Sequence, residues 1–158
     1  MVDDDKDGNR SSGLVVVGAS AGGVGALTTL VSTVHKNFPA PIVLAQHLDP
    51  QRPSHPGSIL ERRSKLPVVI VGDFNMSDAT QEYQLFTAQL TDVFRHTRRG
   101  FGSTFPNWRF DTPSLGFLPP VIRLDYAFVN RNIEPGGARV IQQGNSDHYP
   151  LLVEIRVQ

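Results

Sequence analysis

Three polar clusters stand beside apolar runs, and their residue types are those of hydrolytic chemistry. Gly72, Asp73, Phe74 and Asn75 follow Val68, Val69, Ile70 and Val71; Asp125 and Tyr126 follow Val121, Ile122, Arg123 and Leu124. Ser146, Asp147 and His148 precede Tyr149, Pro150, Leu151 and Leu152. Acids, an amide and an imidazole placed where buried strands meet loops can activate water, hold an anion and supply a proton. Asp73 can take a proton from water or orient it. Asn75, two residues on, projects to the same side of an extended segment and can offer its amide to a phosphate oxygen. Asp125 and His148 form a carboxylate–imidazole pair, in which the acid fixes the tautomer and supports the imidazolium. Asp147 is a hard oxygen ligand of the kind that magnesium or manganese prefers.

A second constellation lies near the N-terminus. Gly18, Ala19, Ser20, Ala21, Gly22 and Gly23 join a strand to a helix, a turn that can expose a serine hydroxyl beside free helix amides. The glycines fit neither the dinucleotide nor the P-loop spacing. His47 would lie beside Ser20 if their strands are neighbours, which is nucleophile and base geometry.

Each cluster also has a plainer reading. Asp73 and Asn75 suit any turn after a strand, Asp125 suits a solvated strand position, and Ser146 to His148 suit a loop. Ser20 suits a helix cap. His35, His55 and His96 read as surface residues, and Arg95, His96, Arg98 and Arg99 as a solvated edge. Trp108, Phe101, Phe105 and Phe117 read as loop anchors in the core rather than base-stacking platforms. Three clusters together favour chemistry over these separate accounts.

The elements that must position the clusters follow from periodicity. Leu14 to Val17 reads as a buried parallel strand, ended by Gly18. Val24, Leu27, Val31 and Val34 share one helical face, and Pro39 and Pro41 stop that helix before a strand at 42–45. A short helix within 53–64 leads to a third strand at 68–71, so the links point to right-handed parallel crossovers. Asp78, with Gln81 three residues on, resembles a capping arrangement for a helix over 81–90. Residues 98–120 are rich in Gly, Pro and aromatics and read as a long loop, either functional or poorly ordered. A strand over 121–129 would put Ile122, Leu124, Tyr126 and Phe128 on one face and Arg123 and Asp125 on the other. Gly136 and Gly137 mark a turn into a strand at 138–141, and a last strand covers 151–157. The predicted fold class is α/β, a parallel β-α-β-α-β start running into a mixed or antiparallel sheet.

With 158 residues and 39% hydrophobic content, the chain can bury a core. Fifteen basic and fifteen acidic side chains give a net charge of zero, which argues against a global electrostatic grip on nucleic acid or an anionic membrane. The lack of cysteine excludes thiolate catalysis and is compatible with a cytoplasmic location. No apolar run is long enough to span a bilayer, and the acidic start at 1–12 reads as a solvated tail.

Two family resemblances grow out of these motifs. Gly-Asp-Phe-Asn, then Asp-Tyr in a strand, then Ser-Asp-His near the C-terminus resemble the endonuclease/exonuclease/phosphatase superfamily in the same order. Thr104, Phe105 and Pro106, and the run from Pro119 to Arg123, also look like its bacterial branch. The resemblance covers 66–158 and implies half of a two-sheet phosphoesterase sandwich. By it, Asp73 handles the nucleophilic water and Asn75 orients phosphate. Asp125 pairs with His148, which contacts the phosphate, while Asp147, with Asp73, serves a weakly held magnesium or manganese ion. Nothing before Leu66 reads as the family's N-terminal half, with its metal-binding Glu, so the implied site is half built. Val15 to Gly23, followed by Val43 to Pro50, looks like the CheB protein-glutamate methylesterase domain over 13–67. That resemblance implies Ser20 as nucleophile and His47 as base, without the family's third, acidic member. The two meet at Leu66, Pro67, Val68 and Val69, so the chain reads as a fusion or chimera. The implied partner is a phosphate-ester substrate, with a methylesterase remnant or a non-catalytic chimera as alternatives. A half sandwich also leaves a sheet face needing cover, from the 22–34 helix or from a second copy in a homo-oligomer.

Overall fold

The computed structural model describes residues 15–19, 33, 42–46, 67–111, 113–115 and 118–157. Its centre is β3 (Val68–Asp73), an apolar run that hydrogen-bonds on both edges. On one side lie β2 (Ile42–Gln46) and then β1 (Val15–Ala19), both parallel to it. On the other lies β5 (Asp125–Val129), antiparallel, with the two-residue β4 (Thr91–Asp92) at the edge. The five-stranded order is therefore β1-β2-β3-β5-β4. β6 (Ile133–Val140) and β7 (Leu151–Val157) form a separate antiparallel pair. This is the expected mixed α/β architecture, with the parallel start where the all-apolar runs put it.

Alternation along β3 and β5 divides the core. Ile70, Tyr126 and Phe128 face one side, where Ile42, Leu44, Phe74 and Phe86 join them. Phe74 meets Phe86, Tyr126 and Phe128 edge-on at centroid distances of 5.1, 5.8 and 5.3 Å, the geometry that aromatic quadrupoles favour. Helix α1 (Gln81–Thr87) covers this face with Phe86. Val69, Ala127 and Val129 face the other side, packed with Val93, Phe94, Ile133 and Ala138, so β6 and β7 lie over this second face. Helix α2 (Val93–Thr97) supplies Val93 and Phe94.

Several boundaries differ from the periodicity. Thr80, not Asp78, caps α1: its hydroxyl accepts from the Tyr83 amide, while the Asp78 carboxylate pairs with Arg95. β5 begins at Asp125 rather than Val121, because Ile122 bridges to Phe105 instead. Arg123 consequently leaves the face of Asp125 and lies 4.4 Å from the Tyr126 ring centroid, bonded to Asp92 at 2.7 Å. Gly136 and Gly137 sit within β6 at a register irregularity, not in a turn before it. The loop at 98–120 contains α3 (Trp108–Asp111) and a 3-10 turn (Pro113–Leu115). Trp108 donates to the Pro119 carbonyl, but Phe101 is 82% exposed and anchors nothing. Phe117, the expected helix at 53–64 and all of the expected helix at 22–34 except Thr33 lie outside the described residues.

Candidate active site

The first and second clusters meet by strand register. Asp73 ends β3, Asp125 begins β5, and the two are directly paired across the ladder. Like charges placed opposite each other in a sheet repel, so this pair needs a cation nearby. The His148 imidazole, which carries such a charge when protonated, lies with its Nδ1 2.8 Å from Asp125 Oδ2. Burial on its own lowers the imidazole's proton affinity. The hydrogen bond to Asp125, then the charges of Asp125, Asp73 and Asp147, raise it, and the net value lies above the ordinary one. With Nδ1–H donating to Asp125, Nε2 is left as the reactive ring nitrogen.

Asn75 adopts a left-handed conformation, φ 47°, one that asparagine tolerates better than most residues. The bend folds it back on Asp73: its amide N–H donates to Oδ1 at 2.9 Å and its Nδ2 to Oδ2 at 3.3 Å. Asn75 thus orients the Asp73 carboxylate. Asp147 is exposed, and its Oδ1 accepts from the Ser146 hydroxyl at 3.1 Å. Ser20 and His47 lie outside the described residues; the strands that precede them pair in parallel up to Ala19 and Gln46.

Sequence reasoning gave no role to Thr104 or Asn107, which hold this arrangement together. Thr104 is fully buried, and its hydroxyl accepts from the amides of Leu124 and Asp125 at 3.2 and 3.3 Å, fixing the start of β5. Its carbonyl accepts from the Tyr149 amide at 2.7 Å, so one residue ties the second cluster to the third. Asn107 clamps the third cluster, donating its amide N–H to the Asp147 carbonyl at 2.6 Å and its Nδ2 to the Ser146 carbonyl at 2.7 Å. The Phe105 ring lies 4.8 Å from the His148 ring and limits its tilt. Thr104 and Phe105 stood in a noted motif; Asn107 carried no signal.

The donor set was tested against magnesium or manganese, which need several converging oxygens. Among the described residues no three His, Cys, Asp or Glu side chains group closely enough to hold an ion. These donors do not by themselves fit a resident metal. No helix of the described residues is long and apolar enough to cross a membrane.

Comparison with known proteins gives two distinct likenesses. The CheB methylesterase family model matches residues 15–83. The protein-glutamate methylesterase/protein-glutamine glutaminase 4 of Burkholderia thailandensis is 37% identical over 87 residues, 55% of this chain and 25% of that protein. The corresponding protein 1 of Bordetella avium is 38% identical over 65 residues, 41% of this chain and 19% of its own length. The chain thus spans about a quarter or less of these relatives. In fold, a functionally unknown conserved protein from Enterococcus faecalis aligns with a TM-score of 0.58 at 23% identity, over 73% of this chain and 50% of that one. An endonuclease/exonuclease/phosphatase from Bacteroides vulgatus aligns with a TM-score of 0.50 at 24% identity, over 63% and 40%. The methylesterase match runs past residue 67 and through Asp73 and Asn75, so it includes β3. This chain therefore carries CheB methylesterase-like sequence over residues 15–83 within a fold like that of the endonuclease/exonuclease/phosphatase structure.

Proposed function

We propose that the chain is an ester-bond hydrolase of the phosphoesterase type, working at Asp73, Asp125 and His148. The observation that carries this reading is the 2.8 Å bond between His148 Nδ1 and Asp125 Oδ2, placed beside the paired carboxylate of Asp73. In the reaction, His148 offers Nε2–H to the phosphate. Asp73, held by Asn75, receives a proton from water as the water oxygen bonds to phosphorus. The bond from phosphorus to the alcohol oxygen breaks, and the alcohol leaves with the proton from His148. Proton exchange with solvent then restores both groups. General acid–base help of this kind contributes about 10²–10⁴-fold in rate.

Magnesium or manganese belongs to this proposal only as an ion supplied from solution. Manganese titrated alone is expected to show no tight saturable site by calorimetry; a tight site would mean that residues beyond those described complete a ligand set. The decisive assay is hydrolysis of bis(p-nitrophenyl) phosphate with and without EDTA. His148→Ala is expected to remove most of the rate, and a variant as active as the parent would refute the assignment.

A second reading has its own support. The CheB methylesterase match and the parallel pairing of β1 and β2 up to Ala19 and Gln46 favour a Ser20–His47 methylesterase remnant. Labelling by a fluorophosphonate, lost in Ser20→Ala, would establish it; absence of labelling would leave the phosphoesterase reading alone.

A further inference from the structure

The face that carries Asp73 and Asp125 does not end at the site. Residues two apart on a strand share a face, so Val71 lies behind Asp73 on β3 and Ala127 behind Asp125 on β5. Val71 and Ala127 are themselves register partners. Between this row and β7 runs a cleft of about 220 Å³, lined by Val71, Gly72, Asp125, Tyr126 and Ala127 on one wall and Leu151 and Val153 on the other. The small Ala127 side chain leaves room where a larger one would close the two sheets on each other. Asp125 therefore has two neighbours of opposite character, the His148 imidazole on one side and a hydrocarbon-walled space on the other.

That geometry constrains what can enter. None of the lining residues carries a positive charge, so nothing in the cleft would compensate a buried anion. Five of these seven residues are aliphatic or glycine, so burial of apolar surface is the attraction on offer. In size the space exceeds the roughly 150 Å³ that holds benzene in an apolar protein cavity. It falls short of the roughly 300 Å³ at which whole drug-sized ligands begin to fit. A single ring or a short alkyl chain matches it.

We propose that the cleft seats the leaving group, and that the site takes phosphate esters of small hydrophobic alcohols, with phosphate at His148 and the hydrocarbon between the sheets. This rests on the phosphoesterase reading for its chemistry, but the cleft can be tested without turnover. The experiment compares binding of phenyl phosphate, glycerol 2-phosphate and inorganic phosphate to the full chain by calorimetry. Phenyl phosphate is expected to bind about tenfold more tightly than glycerol 2-phosphate, the scale of a few buried carbons. Val153→Phe and Leu151→Phe, which fill the cleft from β7, are expected to abolish that preference and leave inorganic phosphate binding unchanged. Near-UV circular dichroism identifies the folded variants on which the comparison is made. No preference in the parent chain, or a preference that survives both folded variants, overturns the proposal. A preference without hydrolysis in the parent supports the cleft and removes the catalytic reading instead.

Discussion

His148 is the residue on which charge at the site turns. Its proton affinity stands above the ordinary histidine value because Asp125 accepts from its ring while Asp73 and Asp147 add negative charge. Replacing Asp125 by Asn should therefore lower the His148 pKa, read as the pH dependence of its imidazole proton resonances; an unchanged midpoint would mean that Asp125 does not set the charge. The sign for stability follows from linkage. Since the folded value is raised, the pair stabilises the fold fully below about 6.5, the unfolded histidine value. That contribution is lost as pH rises through the higher folded value. Activity that needs the imidazolium should fall over the same alkaline side, and the fall should move to lower pH in Asp125→Asn. The Asp125–His148 pairing was legible only because three polar clusters stand together in the sequence, since either residue alone suits a strand surface or a loop. Asn75 was only half legible: its type fitted the site, but the bend that turns it onto Asp73 rests on φ 47°, a backbone choice that residue spacing does not encode.

At the scale of elements, the start of β5 is held from outside the sheet. Thr104 accepts from two consecutive amides there, so Thr104→Val leaves both without that partner. It should cost about 1–3 kcal/mol in urea unfolding. A neutral substitution would show that the loop follows β5 rather than fixing it. Below it, Arg123 and Asp92 form a buried ion pair at 2.7 Å, with the Tyr83 hydroxyl donating to Asp92 at 2.8 Å. Arg123→Met would strand the Asp92 carboxylate, and about 3–5 kcal/mol of lost stability is expected by the same measurement. None of this could be read from periodicity. Arg123 fell on the polar side of an assumed strand, and only the bridge of Ile122 to Phe105, a contact between segments far apart in sequence, ends that alternation. Asn107 was hidden in the same way, inside a loop whose order comes from tertiary hydrogen bonds. The strands at 42–46, 68–73 and 151–157 needed no such help, because unbroken or alternating apolar patterns state their burial locally.

Across the whole molecule, strands from the methylesterase-like stretch and from the rest of the chain share one sheet. The carboxyl ends of β1, β2 and β3 fall along a single edge, where Asp73 and Asp125 also lie. Ile42 and Leu44 enter the same core as Phe74 and Phe128, so the N-terminal strands are structural members rather than appendages. Leu44→Ala should accordingly cost about 2–5 kcal/mol of global stability, measured by denaturant unfolding followed through near-UV signals of the aromatic core. Unfolding unaffected by that change would mean that β2 contributes nothing to the rest. The two resemblances, their meeting near Leu66 to Val69 and a parallel start running into a mixed sheet were legible, but no local pattern states which edge of β3 takes the parallel neighbour and which the antiparallel one. That double pairing has a consequence for how the chain can vary in length. An insertion or deletion of one residue within 68–73 would slip two ladders at once, sending Ile70 out of the aromatic core and Asp73 away from Asp125. Length changes in related chains should therefore gather in the connections and spare this strand.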